Sequence, residues 1–134
     1  MFRFEKLDAW KMAIDYANSI YDICETLPKS EIFGLASQLR RAALSISSNI
    51  AEGSGSSSTK DLCSFLDIAI KSTIETVSQL HFALQRKYLT EKTLNELYAE
   101  AEVLVKRIQA LKSYLKKQRA ITYNPRAVME EPHD

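Results

Sequence analysis

Residues 38–53 read QLRRAALSISSNIAEG, and this stretch decides the fold. Four of its apolar residues recur every three or four positions, which is the spacing of one face of an α-helix. They are Leu39, Ala42, Ile46 and Ile50. Half of the other positions hold alanine, serine or glycine, so a neighbouring helix can approach this one closely. We expect the helix to begin near residues 30–34 and to end at Gly53, where a left-handed residue would cap it.

Three further segments show the same helical period. The first, with Leu7, Trp10, Ile14, Ala17, Tyr21 and Cys24 on one face, ends at Leu27-Pro28 because proline disfavours helix in the residue before it. The next begins after the Ser54–Ser57 loop, where Ser58 and Asp61 resemble a capping box, and runs to about Tyr88. Its seam is Leu62, Leu66, Ala69, Thr73, Thr76, Leu80 and Leu84. The last is capped by Thr90 and carries Leu94, Leu97, Ala101, Leu104, Ile108, Leu111 and Leu115.

No segment shows the sustained alternation of a strand, so the sequence predicts an all-α protein. Four helices joined by short loops favour an antiparallel up-and-down four-helix bundle, which we place at residues 1–120. Residues 121–134 hold Pro125 and Pro132 and no periodic pattern. We interpret them as a loosely ordered tail, or alternatively as an extended arm that reaches a neighbouring subunit.

Composition narrows the class of protein. The chain has 134 residues, of which 46% are apolar and 26% charged, so one domain with its own core is expected and extensive disorder is excluded. No run of 18 apolar residues exists, which argues against a membrane span. Charges at the start, in MFRFEKLDAW, argue against a signal peptide, and we expect a cytoplasmic protein.

The first helix has more apolar surface than a bundle requires. Its apolar side chains cover about 200° of the circumference, whereas a stripe somewhat wider than 100° is enough for a helix packed on one side. The surplus includes Trp10, Tyr16 and Ile20, which we assign to an interface between subunits. The alternative is that Phe2, Phe4 and the tail cover this surface within one chain.

Two features of the second and third helices concern polar residues. Ser45, Asn49 and Glu52 share a face near the turn. If the third helix folds back about the loop, Arg41 lies within reach of Glu75. We therefore expect an Arg41–Glu75 ion pair that fixes the register of the two helices.

Charge is distributed unevenly along a chain whose net charge is +1. Residues 1–67 hold seven Lys/Arg and nine Asp/Glu, whereas residues 68–134 hold eleven and eight. Six basic residues fall in one stretch without an acid, namely Lys106, Arg107, Lys112, Lys116, Lys117 and Arg119. Cations stabilise a helix C-terminus, which explains part of this cluster. Repeated in an oligomer, the same charges would bind phosphate backbones with little sequence specificity.

Residue patterns for catalysis or metal binding are missing. A di-metal helix bundle needs Glu-x-x-His on two of its helices, but His81 has no glutamate three residues before it, and His133, although preceded by Glu130, lies in the tail. Cys24 and Cys63 are too few for a disulfide framework or a four-cysteine zinc site, and no histidine accompanies either in sequence. We predict a non-enzymatic protein with no metal, no cofactor and no small-molecule substrate.

Four phrases of the sequence carry a family resemblance. They are Phe4-x-x-Leu7-x-x-Trp10, Glu31-x-Phe33-Gly34-Leu35, the stretch 38–53, and Phe65-Leu66-x-Ile68-Ala69-x-x-Ser72-x-x-Glu75. In this order they resemble the 23S rRNA intervening-sequence proteins, over residues 4 to about 117. The residues that form the structural signature are Arg41, Ser45, Asn49, Glu52, Gly53, Ser72 and Glu75.

This resemblance implies a four-helix bundle that assembles into a ring-like homopentamer. It also implies kinship with the accessory proteins of diversity-generating retroelements, which engage nucleic acid and a reverse transcriptase, but it brings no settled activity. Our first hypothesis is an oligomeric scaffold that binds RNA, DNA or a nucleoprotein through the basic end of the fourth helix. The second is a protein-interaction scaffold without nucleic-acid contact.

Overall fold

The computed structural model describes residues 1–121, with the side chains of residues 1–118. Its α-helices are α1 (Asp8–Thr26), α2 (Leu35–Ser54), α3 (Thr59–Gln85) and α4 (Glu91–Ile121). One 3-10 turn (Arg3–Lys6) precedes α1 and another (Lys29–Glu31) precedes α2. Each helix packs against the next and α4 packs against α1, which confirms the predicted four-helix, up-and-down fold. The predicted tail lies outside the described residues, apart from Ile121.

The seams predicted for α2, α3 and α4 form the core. All the predicted seam residues of α2 and α4 are buried, and those of α3 are buried except for the half-buried Leu84. These helices each bury one narrow stripe, so a period of three to four residues identifies it. None of the helices within residues 1–121 combines the length and the apolar character that crossing a bilayer would require.

Side-chain caps begin two of the helices where the sequence predicts them. The backbone N–H of Asp61 donates to Ser58 Oγ at 3.1 Å, and the N–H of Thr93 donates to Thr90 Oγ1 at 3.2 Å. Each hydroxyl satisfies a donor that has no partner inside the first turn of its helix. The caps therefore set the starts of α3 and α4.

The cap predicted at Gly53 is wrong. Gly53 lies inside α2, which continues to Ser54, and no glycine among the described residues has a positive φ. A Cβ on Gly53 would lie 2.8 Å from Phe65 Cβ and 2.9 Å from Leu62 Cδ1. Glycine is needed here because α2 and α3 approach each other too closely for a larger side chain. A left-handed residue does follow α3, where Lys87 has a φ of 63°.

The face assigned to the core of α1 also needs correction. Tyr16 and Ile20, which we placed in a subunit interface, are fully buried within the single chain. Trp10 and Ile14, which we placed in the core seam, are half-buried, and Tyr21 is exposed. The helix is rotated so that its alanine-rich side, with Tyr16 and Ile20, points inward.

Aromatic residues before α1 cover Trp10, as the alternative interpretation proposed. The rings of Phe4 and Trp10 lie 4.9 Å apart between centroids, and Phe2 stacks on Phe4 at 6.0 Å. The N-terminal segment therefore covers Trp10 within the same chain. The predicted subunit interface is wrong for Tyr16 and Ile20, because both are buried within one chain.

Tyr16 links two helices across the centre of the bundle. Its hydroxyl lies 2.7 Å from Thr76 Oγ1 of α3, and Thr76 Oγ1 donates in turn to the Thr73 carbonyl at 2.6 Å. Burial raises the pKa of Tyr16 to about 12, although the hydrogen bond with Thr76 acts in the opposite direction. The phenol is therefore a neutral, hydrogen-bonded member of the core.

Candidate functional site

The basic segment predicted as a binding surface lies on the second half of α4. Lys106, Lys116 and Lys117 are exposed and Arg107 is half-buried. The side chain of Arg119 lies outside the described residues. Lys106 and Lys117 are eleven residues apart, or about three turns, so they project from nearly the same side of α4, whereas Lys116 projects about 100° away. The cations thus spread over the outer surface of the helix.

Lys112 differs from its neighbours because it has an acidic partner. Its Nζ forms an ion pair with Asp67 Oδ1 of α3, and the Lys112 side chain is only 19% exposed. Asp67 lies 45 positions away in sequence, so the pair was not foreseen. The predicted basic segment is therefore interrupted at Lys112, whose charge is largely balanced by a carboxylate.

Three of the predicted signature residues come together between α2 and α3. Ser45 Oγ lies 2.9 Å from Ser72 Oγ, and either hydroxyl can donate. Asn49 Nδ2 donates to Ser45 Oγ at 3.0 Å and to the Ser45 carbonyl at 2.7 Å. These hydrogen bonds join the helices at a place where small side chains let them approach. Their evident role is to fix how α2 and α3 pack.

The remaining signature residues do not join this cluster. Arg41, Glu52 and Glu75 are exposed, and the ion pair found among the described residues is Lys112–Asp67. The predicted Arg41–Glu75 pair is therefore wrong. The adjacent Arg40 does have a defined contact, since its guanidinium carbon lies 5.8 Å from the centroid of the Tyr21 ring.

An apolar groove between α3 and α4 was not anticipated. It has a volume of about 360 Å³, and Ile74, Val77, Tyr98, Ala101 and Val105 contribute to its walls. Ile74 is 58% exposed and Tyr98 is 42% exposed. The signal was present in the sequence, because Ile74, Tyr98 and Val105 each directly follow a seam residue and add a second apolar strip beside it.

Groups with potential for chemistry are placed in structural settings. The ring of His81 meets that of Tyr98 edge-on at 6.3 Å. Cys24 is buried, contacts the Ala36 carbonyl at 3.6 Å, and has its thiol pKa raised by burial. Cys63 is buried as well. Within residues 1–121, no group of three or more His, Cys, Asp or Glu side chains is placed to hold a metal ion.

Comparison with known proteins decides the family. Residues 5–110 match the family model of the 23S rRNA-intervening sequence protein, which is most of the chain and contains all four helices up to the middle of α4. The chain belongs to this family. The match includes every signature residue, and it confirms the family resemblance that the sequence phrases indicated. It ends before Lys112, Lys116 and Lys117, so most of the basic segment lies beyond the matched part of this family member.

The fold is also shared with a solved structure. A protein of unknown function from the S23 ribosomal protein family of Bacteroides thetaiotaomicron superimposes with a TM-score of 0.72 and 22% sequence identity. The alignment covers 78% of this chain and 97% of the other. At 22% sequence identity, this similarity shows that the two chains share a fold, and it shows nothing about function. No curated protein matches the chain.

Proposed function

We propose that this family member is a non-enzymatic, oligomeric scaffold that binds RNA, DNA or a nucleoprotein through the exposed cations of α4. The observation that carries the proposal is the exposure of Lys106, Lys116 and Lys117 on a part of α4 that contains no acid. Each unpaired cation that meets a phosphate releases condensed counterions, and this entropy gain favours binding.

Assembly would multiply a modest charge into a strong one. The chain alone has a net charge of +1. In the homopentamer that the family resemblance implies, the three exposed lysines would become fifteen on one particle, and their summed potential would attract a polyanion. The kinship with retroelement accessory proteins, also implied by resemblance, favours the same class of partner.

The setting of the reactive side chains supports a role without catalysis. His81 contacts an aromatic ring, and Cys24 is a buried thiol whose raised pKa keeps it protonated. A nucleophile or a general base needs a partner within hydrogen-bond reach, and neither contact supplies one.

A protein-interaction scaffold is the second candidate, and one observation favours it. The apolar groove between α3 and α4 exposes Ile74 and Tyr98, and contiguous apolar surface of this kind marks protein contacts more often than nucleic-acid contacts. The two candidate functions therefore differ in the partner, which is a polyanion for the first and a protein with an apolar surface for the second.

Titration of the nuclease-treated full chain with fluorescent structured RNA and duplex DNA tests the proposal. We expect micromolar or tighter binding at about 50 mM salt that weakens steeply toward about 200 mM. The test variant replaces Lys106, Lys116 and Lys117 with glutamine, and we expect it to lose at least tenfold in affinity and part of the salt dependence.

A matched control removes the same charge elsewhere. Lys6, Lys11 and Lys71 are also exposed and lie outside α4, so their replacement by glutamine should leave affinity nearly unchanged. Equal losses in both triple variants would mean that binding follows net charge and not the α4 surface. No binding at about 50 mM salt would leave the protein-interaction scaffold as the function.

A further inference from the structure

Phe33 is exposed to a degree unusual for an aromatic side chain. It is 96% exposed, and Ile32 beside it is 45% exposed, at the turn between α1 and α2. A phenylalanine side chain can bury about 150–250 Å² when it packs, so leaving it in water is unfavourable unless a partner covers it. The projecting pair of Ile32 and Phe33 is called the knob below.

The backbone that carries the knob is held firmly. Glu31, just before it, accepts a hydrogen bond from the Tyr88 hydroxyl at 3.0 Å and another from the backbone N–H of Leu35 at 3.3 Å. A Cβ on Gly34 would lie 2.9 Å from Glu31 Oε1, so the turn closes tightly on that carboxylate. These contacts tie the turn to both α2 and the α3–α4 connection. The backbone of the knob is thus held in place, which reduces the entropy lost on binding.

The groove between α3 and α4 has the size and lining to receive the knob. Its volume is about 360 Å³, and a dry cavity of about 150 Å³ is already enough to bind benzene. Ile74 and Val77 form one wall, and Tyr98 and Val105 contribute to the other. Such a lining suits an aromatic ring with an aliphatic neighbour.

The knob of a chain does not fill the groove of the same chain. Phe33 precedes α2, and α2 packs against α1 and α3, whereas the groove is formed by α3 and α4. The 96% exposure of Phe33 likewise shows that nothing within the described residues covers it. Within the described residues, both surfaces are therefore uncovered.

We propose that the knob of one copy inserts into the α3–α4 groove of a second copy. This inference rests on the proposed oligomer and names the contact that builds it. Because knob and groove are different surfaces, the contact is head-to-tail, and repeating it generates a closed ring when the rotation between copies allows closure. Each chain in a ring then uses both surfaces, which leaves neither exposed.

Charge at the edges of the two surfaces favours this pairing. The turn that carries the knob has exposed Lys29 and half-buried Glu31, and the lining of the groove includes exposed Glu102 and Lys106, so each surface has a cation and an anion to pair with the other. Opposite charges at the rim of an apolar contact steer association and fix its register. One phenyl ring buries far less than the roughly 800 Å² that each partner contributes to a stable interface, so such rim contacts are part of the proposal.

Complementing variants test the contact directly. Phe33→Ser removes the knob but keeps the groove, whereas Ile74→Glu blocks the groove but keeps the knob. Ile74 is 58% exposed, so neither change disturbs the core, and Tyr98→Lys serves as a second groove variant. Leu44→Gln is the matched control, since it removes an exposed apolar side chain of α2 outside both surfaces. Light scattering gives the mass of each, and circular dichroism confirms the helical fold.

We expect the wild type and Leu44→Gln to be assembled, and each knob or groove variant to fall to the 15.2 kDa of one chain. Mixing Phe33→Ser with Ile74→Glu leaves one intact knob and one intact groove, so the mixture should form a one-to-one dimer. A wild-type oligomer whose Phe33→Ser variant stays assembled overturns the knob contact while the oligomer survives. Two monomeric variants that do not associate at about 1 mM also overturn it. A wild-type monomer overturns the proposed oligomer itself.

Discussion

Replacing Gly53 with alanine should destabilise the bundle, although alanine is the better helix former. The added Cβ would lie 2.8 Å from Phe65 Cβ and 2.9 Å from Leu62 Cδ1, distances that packed side chains do not adopt. Phe65 Cβ is fixed to the backbone of α3, so it cannot swing aside. Relief requires α2 and α3 to move apart where their contact is closest.

The magnitude follows from two opposing terms. Overpacking a well-filled core by one methyl group costs about 1–3 kcal/mol. Exchanging glycine for alanine inside a helix returns about 0.5–1 kcal/mol. The overpacking term is larger, and we expect a net loss of about 1–2 kcal/mol in the free energy of unfolding, or several degrees in Tm.

Gly55→Ala provides the control, because it makes the same chemical change two positions further along. A Cβ there would meet one backbone oxygen, that of Glu52, at 3.4 Å. Urea unfolding at a fixed protein concentration, followed by circular dichroism, gives both differences. We expect Gly55→Ala to be neutral or slightly stabilising. A Gly53→Ala variant as stable as Gly55→Ala would refute the close approach of α2 and α3.

Two further changes probe other parts of the fold. Lys87 adopts a left-handed conformation with a φ of 63°, and its side chain is exposed. Lys87→Gly should therefore stabilise the chain by about 0.5–1 kcal/mol, because glycine adopts this conformation without strain. An unchanged or lower Tm would mean that the left-handed conformation of Lys87 carries little strain. Burial raises the pKa of Glu100, although a hydrogen bond from Ser19 at 3.1 Å acts against it. A carboxyl whose pKa is higher in the folded chain favours folding at low pH, and this contribution is lost as the pH rises through the folded pKa. Glu100→Gln should therefore be more stable than wild type at about pH 7.5, with the advantage shrinking toward about pH 5, as measured by thermal unfolding at both values. An advantage independent of pH would contradict the raised pKa.

The sequence predicts most of this fold because three of the four helices bury narrow stripes. In α4, the seven predicted seam residues are all buried, and they recur at one helical spacing along the whole helix. In α1 the pattern is ambiguous, because apolar residues cover more than half of the helix. Periodicity cannot then distinguish a core position such as Tyr16 from an edge position such as Trp10.

Contacts between distant segments account for the other differences. Gly53 has the composition signal of a helix end, but the proximity of Phe65 decides its role, and only the packing of α2 on α3 reveals that. Likewise, Lys112 resembles its basic neighbours in sequence, and its partner Asp67 lies on another helix. The sequence pattern around a residue predicts the helix that contains it, but it does not predict which residues of other helices contact it.

The basic surface of α4 can be predicted from the sequence, whereas the α3–α4 groove and the exposure of Phe33 depend on contacts between distant segments. A run of cations is visible in sequence, so Lys106, Lys116 and Lys117 could be named and are exposed. The α3–α4 groove combines Ile74 of one helix with Tyr98 of another, and its existence depends on how the two helices pair. Phe33 belongs to one of the phrases that carry the family resemblance, but its projection from the surface depends on the tight turn at Gly34.

The molar mass of the wild-type chain in solution tests the proposed scaffold most directly. Size-exclusion chromatography with light scattering reports this mass without assuming a shape. A homopentamer of the 15.2 kDa chain would give about 76 kDa, and any closed ring would give another fixed multiple that does not change on dilution through the micromolar range. A mass of 15.2 kDa at every concentration would contradict an oligomeric scaffold and leave Phe33 and the α3–α4 groove without the partner assigned to them.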